Sequence, residues 1–386
     1  MNSSLKLSVT LIILIITMCV IGCDGQEQEE VEVVGIPIDI SDYQAMVGSV
    51  ENEMWNGGYY ADGTWNGDYN DSPFAGLAFY SRAGQTTGRP DYQARADEAS
   101  GFNKTLITNA LELDTSGFVA ELHQIIFAVL GLLEYMEARD SSDGIDLVEN
   151  VLDRINLIMF LSGYYIPADG SEVAKVYGQT TATNLLVIAN LQYAKTFPNA
   201  TSTQTYINRA ENYLDAIDDK AWNGAYYEFS PDLPSTVGTK YLYPNVTTMM
   251  SLTRLYEVTQ NTNALERAKH LFNEIETLKY DDRPGYFTPY SKDTYGAQTD
   301  DFTSFSPTGY AILAFQSLYS ITGEQKYLDG IYDQLTFIRD YIHDPSAGLI
   351  RHHWIDGDIA PPDAFVCTGC NLQFLWIMWR LENGVL

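Results

Sequence analysis

One feature narrows the possible folds more than any other: the chain repeats itself about every sixty residues. Aromatic-glycine turns recur as Trp55-Asn56-Gly57-Gly58-Tyr59-Tyr60, Ser162-Gly163-Tyr164-Tyr165, Trp222-Asn223-Gly224-Ala225-Tyr226-Tyr227, Pro284-Gly285-Tyr286-Phe287 and Ala347-Gly348-Leu349-Ile350. The glycines at 163, 224, 285 and 348 stand 61, 61 and 63 residues apart. Helical phrases recur in step. Leu252-Thr253-Arg254-Leu255-Tyr256-Glu257-Val258-Thr259 echoes Phe315-Gln316-Ser317-Leu318-Tyr319-Ser320-Ile321-Thr322. A period of this length marks stacked supersecondary units, none of which can bury its apolar face alone.

Between the turns, apolar residues recur at helical spacing. Twelve helices are expected, near 41–54, 72–82, 91–112, 118–139, 143–162, 179–196, 201–218, 243–259, 262–279, 305–321, 324–342 and 367–382. Starts near 119, 181, 243, 305 and 367 are each 62 apart. Alternate links differ in length. Those near 140–142, 197–200, 260–261 and 322–323 are very short. Those near 55–71, 163–178, 222–242, 283–304 and 346–366 are long, aromatic and rich in Gly, Asp and Pro. Antiparallel neighbours put the two sets at opposite ends, so one rim is elaborated, and long loops are where function concentrates.

Helices 118–139 and 367–382 are apolar almost all round, as inner helices of a double ring would be. Helix 41–54 has no hairpin partner unless it pairs with 367–382. The expectation is therefore an all-α, closed (α/α)6 barrel of six helical hairpins over residues 41–386, with long loops on one rim.

Trp-Asn-Gly-Gly-Tyr-Tyr at 55–60, Trp-Asn-Gly-Ala-Tyr-Tyr at 222–227, and Asp300-Asp301-Phe302 leading into Ala311–Gly323 make the pattern resemble the six-hairpin glycosidase-like toroids. Within that superfamily they are similar to N-acylglucosamine 2-epimerase-type domains, thioredoxin-linked toroid domains and family 76 mannanases. The resemblance implies sugar chemistry: hydrolases, lyases or epimerases. In family 76 an adjacent acidic pair is catalytic, and Asp300-Asp301 looks similar, although its flanking residues differ. Glycoside hydrolysis needs two carboxyl groups, one protonated and one charged, and neighbouring acids raise each other's pKa.

The second dense polar constellation is Arg351-His352-His353-Trp354-Ile355-Asp356, holding two of the five histidines. His352 and His353 could shuttle protons, with Asp356 in support, and Trp354 offers a face for a sugar ring. Epimerases and lyases of the superfamily use His with Arg or Tyr near the sugar, which brings in Arg351. Trp55, Trp65, Trp222 and Tyr226 are further sugar platforms, although recurrence also fits a structural wedge between hairpins. Asp68, His123, Asn184, Asn245 and Asn371 stand on the rim or at the starts of inner helices, where they would line the floor of a bowl. Capping and buried hydrogen bonding are the alternative roles. The expected activity is a carbohydrate-active enzyme, a glycoside hydrolase on an oligosaccharide. The alternatives are a His-using epimerase or lyase and a non-catalytic glycan binder. No phosphate-binding glycine loop, nucleophile elbow or dinucleotide fingerprint appears, so no cofactor is expected; no metal-site residues stand out, and metal use is left open.

The N-terminus reads as a targeting segment over 1–22. It has Lys6, the apolar run Leu11–Ile16, and Val20-Ile21-Gly22-Cys23, which resembles the lipobox of bacterial lipoproteins with Cys23 as the lipid-bearing residue. Residues 23–40 read as a tether. The expected localisation is the bacterial cell envelope, anchored to the membrane only by the lipid. Cys367 and Cys370 are expected to form a local disulfide outside the cytoplasm. The formal net charge of −29 makes nucleic acid an unsuitable partner.

Overall fold

The computed structural model describes residues 40–54, 72–166, 178–233, 237–286, 302–351, 353–355 and 368–383. All lie in the compact unit Pro37–Leu386. The expected signal segment and most of the tether lie outside the described residues.

Thirteen α-helices are described: α1 (Ile40–Met54), α2 (Ser72–Thr87), α3 (Pro90–Glu112), α4 (Thr115–Ala120), α5 (Leu122–Arg139), α6 (Ile145–Leu161), α7 (Gln179–Thr196), α8 (Thr203–Ala221), α9 (Leu242–Thr259), α10 (Thr262–Ile275), α11 (Phe305–Thr322), α12 (Gln325–Phe337) and α13 (Thr368–Glu382). Helices α2, α5, α7, α9, α11 and α13 each pack on the next, and α13 packs back on α2. The inner ring is therefore closed. Trp379 Nε1 donates to Thr86 Oγ1 at 3.0 Å across that closing seam. Helix α1 packs on α13, so the first helix completes the last hairpin.

Amino-acid pattern separates the two layers. Every residue of α7 from Gln179 to Ala194 is buried, and so is every residue of α13 from Thr368 to Trp379. Outer helix α10 buries only the stripe Ala264, Leu265, Ala268, Leu271, Phe272 and Ile275. The tight links are closed by left-handed residues: Asp140 (φ 47°), Gln260 (φ 60°) and Gly323 (φ 67°).

Several expected boundaries differ. The segment 118–139 is broken, because Asp114 caps a separate short helix by accepting from Gly117 N at 2.8 Å, and Glu121 leaves helical geometry before α5 begins. Helix α2 continues to Thr87, five residues past the expected end. Segments 262–279 and 324–342 change winding near their ends, into a 3₁₀ turn (Glu276–Leu278) and a π turn (Ile338–Ile342).

Four short strands decorate the rim: β1 (Phe302–Ser304), β2 (His343–Asp344), β3 (Leu349–Ile350) and β4 (His353–Ile355). β2 pairs with β3, and β1 pairs with β4, both antiparallel. Among the described residues no helix is long and apolar enough to cross a membrane.

Candidate functional site

All six inner helices begin at the long-loop end, so their N-termini, the positive ends of their dipoles, gather at one rim. Polar side chains are buried near the starts of several of them, among them Gln179, Thr180, Thr183, Asn245, Thr368 and Asn371, and the hydrogen bonds show why. Asn371 Oδ1 accepts from Ile350 N at 2.7 Å while its Nδ2 donates to Ile350 O at 2.9 Å. Asn245 treats Tyr227 the same way, accepting from its N at 2.8 Å and donating to its O at 3.1 Å. Thr183 takes the equivalent place in α7, where its hydroxyl accepts from Ile166 N at 3.3 Å. A rim loop that dives into the ring needs partners for its main chain, and these side chains supply them. Asn245 and Asn371 therefore hold the loops on the inner helices.

Asn184 bridges α7 and α9. Its Nδ2 donates to Thr248 Oγ1 at 2.7 Å, and its Oδ1 accepts from Ser251 Oγ at 2.8 Å. His123 is buried in the first turn of α5. Trp222 ends α8 with its ring 4.9 Å from that of Tyr227, and the Arg267 guanidinium lies 4.7 Å from the indole. Tyr226 donates to Gly238 O at 3.1 Å, and Lys240 stands 5.0 Å from its ring. Both aromatics are thus packed by the protein's own groups, as wedges between hairpins. Arg351 is ion-paired with Asp344 through Nη2, and its Nε donates to the same carboxylate at 3.1 Å. The Ser346 hydroxyl and Arg351 together hold the Asp344 carboxyl far below the usual carboxylate range. Cys370 is disulfide-bonded and buried at the start of α13.

Trp55, Trp65, Asp68, Asp300, Asp301, His352, Asp356, Cys23 and Cys367 lie outside the described residues. Their chain neighbours do not. In the β1–β4 ribbon, Phe302 pairs with Ile355, Thr303 with Trp354, and Ser304 with His353. Asp301 is joined by one peptide bond to Phe302, and Asp356 by one to Ile355. Phe302–Ser304 and His353–Ile355, about fifty residues apart in sequence, thus form one ribbon that runs straight into inner helix α11.

The sequence reading did not single out what fastens this ribbon. Thr303 is fully buried, and its hydroxyl lies 2.7 Å from Tyr280 Oη and donates to Tyr286 O at 3.2 Å. Tyr286 donates to Glu276, and burial raises its phenol pKa steeply, with the Glu276 charge adding to the rise, so the hydroxyl stays a donor. Gly285 is held at φ 96°, and an added Cβ would fall 2.6 Å from the Phe337 ring. That close approach seats the 279–286 turn on α12. The repeat phase held a usable signal for the clamps, since Thr183 and Asn245 are 62 residues apart and Asn371 lies 126 further on. Among the described residues, no group of three His, Cys, Asp or Glu is placed to hold a metal ion.

No family profile and no curated protein matches this sequence. Solved structures do match in fold. A sugar epimerase from a ruminal bacterium has a TM-score of 0.65 at 14% identity, over 90% of this chain and 99% of that one. The α-mannanase of glycoside hydrolase family 76 from Bacteroides thetaiotaomicron gives 0.60 at 11% identity, over 90% and 96%. Cellobiose 2-epimerase from Bacillus thermoamylovorans gives 0.63 at 12% identity, over 88% and 98%. The fold is the all-α toroid that these structures share.

Proposed function

We propose that this chain is an exported, lipid-anchored carbohydrate-active enzyme, a glycoside hydrolase that cleaves an oligosaccharide at the long-loop rim. The observation that carries the reading is the β1–β4 ribbon. It pairs Phe302–Ser304, which follow Asp300-Asp301 in sequence, with His353–Ile355, and it leads into the N-terminal end of α11. Likeness in fold to a mannanase and to sugar epimerases supports the substrate class.

In this reading one acid of the doublet is protonated, because two adjacent carboxylates repel, and it gives its proton to the leaving glycosidic oxygen. The other, or Asp356, acts as base or nucleophile. A carboxyl separation of about 5–5.5 Å gives retention, and about 6.5–9.5 Å gives inversion. Trp354 and Arg351 belong to the sugar-facing segment, and Asn371 fixes the strand β3 that leads into it. Cys23 carries the lipid and keeps the enzyme at the cell envelope.

A second reading has one specific support. Two of the structures alike in fold are sugar epimerases, and His353 stands in the ribbon, paired with Ser304. Product analysis separates the two. With mannan oligosaccharides, cellobiose and mannose as substrates, a hydrolase releases new reducing ends, whereas an epimerase returns an isomer of unchanged mass. Asp300→Asn and Asp301→Asn should abolish hydrolysis with glycan affinity retained. Full turnover in both variants would remove the acid/base assignment. Affinity without any product would leave a glycan-binding lipoprotein.

A further inference from the structure

The opposite end of the ring carries a charged cluster that the rim chemistry does not use. Arg82 on α2, Glu134 and Glu137 on α5, Lys195 on α7, Arg254 and Glu257 on α9, and Arg380 on α13 all stand in the C-terminal parts of inner helices. Arg82 Nη2 contacts Glu134 at 3.0 Å and Glu137 at 2.8 Å. Glu257 serves both Arg254, at 3.1 Å, and Lys195, at 3.5 Å. The Glu134 carboxyl is buried, which opposes its charge. Arg82, Arg254 and Arg380 nonetheless hold it below the usual range. Helix α5 adjoins α2 and α7 in the ring, so a field from α9 and α13 reaches it across the centre. Contacts link the groups around the short-loop end as well: Arg82 to Glu137, Gln192 to Glu137 at 2.7 Å, Lys195 to Glu257, and Arg380 to Gln316.

The cluster does not balance. Four cations meet three carboxylates. Arg380 has no ion-pair partner among the described residues, and its Nε donates only to Gln316 Oε1, at 3.2 Å. Gln316 is fully buried, and its Nε2 has no hydrogen-bond acceptor. Arg254 Nη1 and Glu257 Oε2 are paired by charge at 3.1 Å but without hydrogen-bond geometry, so neither atom has a hydrogen-bond partner. Helix carbonyls account for part of the positive charge, since Lys195 and Arg380 lie in last turns. They do not account for Arg82 and Arg254, each five residues before its helix end, because the dipole field fades within one turn. A water molecule would satisfy the stranded donors and leave the charge excess untouched. Burial lowers the pKa of both Lys195 and Arg380, and Arg254 lowers each further, as expected where cations crowd without a full set of counter-charges.

We propose that this charged cluster at the short-loop end binds one small anion, held by Arg254, Arg380 and the Gln316 amide. The site is separate from the rim and does not depend on the rim's activity. Its ligand is a compact halide or oxyanion. The carboxylates of Glu134, Glu137 and Glu257 belong to the same cluster and would oppose a larger anion.

The test is thermal melting of the whole folded protein with sodium chloride, nitrate or phosphate titrated in, ionic strength being held constant with sodium HEPES. A saturable rise in Tm of about 3 °C or more is expected for at least one of the three, as for any ligand that binds only the folded state. The chloride, nitrate and phosphate arms distinguish halide from oxyanion. Gln316→Glu places a carboxylate where the anion would sit, so it should melt higher than the parent in HEPES alone and lose the anion response. Arg380→Met, near a helix end, should also lose the response without the gain. Melting that follows ionic strength alone would overturn the proposal, and so would a Gln316→Glu protein that keeps the full response.

Discussion

Replacing Asn371 tests how the rim is built. Its carboxamide closes two hydrogen bonds on the main chain of Ile350, at 2.7 and 2.9 Å, and both residues are fully buried. In Asn371→Leu the Ile350 N–H and C=O lose this partner together. Each buried, unsatisfied group costs about 1–3 kcal/mol, so the loss should be about 2–6 kcal/mol. Asn371→Asp separates the two bonds. The carboxyl can still accept from Ile350 N, but it can donate to Ile350 O only when protonated. Hydrogen bonding of the neutral form, together with burial, raises its folded pKa above the unfolded value of about 3.9. That contribution is fully present below the unfolded pKa and is lost as pH rises through the folded pKa. The variant should therefore come closest to the parent near pH 4 and fall furthest behind at pH 7 and above, by about 3 kcal/mol. Circular-dichroism melts of parent and variant from pH 4 to pH 8 read the difference. Equal Tm values across that range, or a gap that narrows as pH rises, would refute the clamp.

Other outcomes follow from the same packing. Gly285→Ala should cost about 3 kcal/mol, because the backbone sits at φ 96° and the new Cβ would press on Phe337, and denaturant unfolding measures it. Glu134→Gln should cost about 3 kcal/mol at neutral pH by leaving Arg82 and the other arginines of the cluster under-compensated. Because the folded pKa of Glu134 is depressed, its contribution exists above the unfolded value of about 4.3, and the gap between parent and variant should close as the pH falls. Trp379→Phe removes the bond to Thr86 across the closing seam and should cost about 1 kcal/mol, read as a shift in the denaturant midpoint.

The ring was legible because a helical hairpin leaves two marks on sequence: an apolar spacing and a turn. The 62-residue step kept them in phase through five repeats, and helix α1 found its place because the count of hairpins left it over. Glu121 was not legible as a break, since Phe118 to Arg139 reads as one apolar run, and a cap at Asp114 decided the matter locally. The ribbon was hidden for another reason. Strands of three residues carry too little alternation to be seen, and pairing between residues 302 and 355 is a tertiary event. Asn245 and Asn371 were visible as polar residues on inner helices, but their engagement with loop main chain depends on where the loop turns inward. Arg82, Glu134, Arg254 and Arg380 look like isolated charges in apolar helices. Only ring closure gathers them at one end of the ring.

The central claim is that carbohydrate is handled at the end of the ring where the inner helices begin. Hydrogen–deuterium exchange of the whole protein, with and without mannan oligosaccharide or cellobiose, tests this most directly. Peptides spanning 298–306 and 349–358 should gain protection together when sugar is added, while 132–139 and 252–259 stay unchanged. Protection confined to the short-loop end, or none at any sugar concentration with either ligand, would contradict the account.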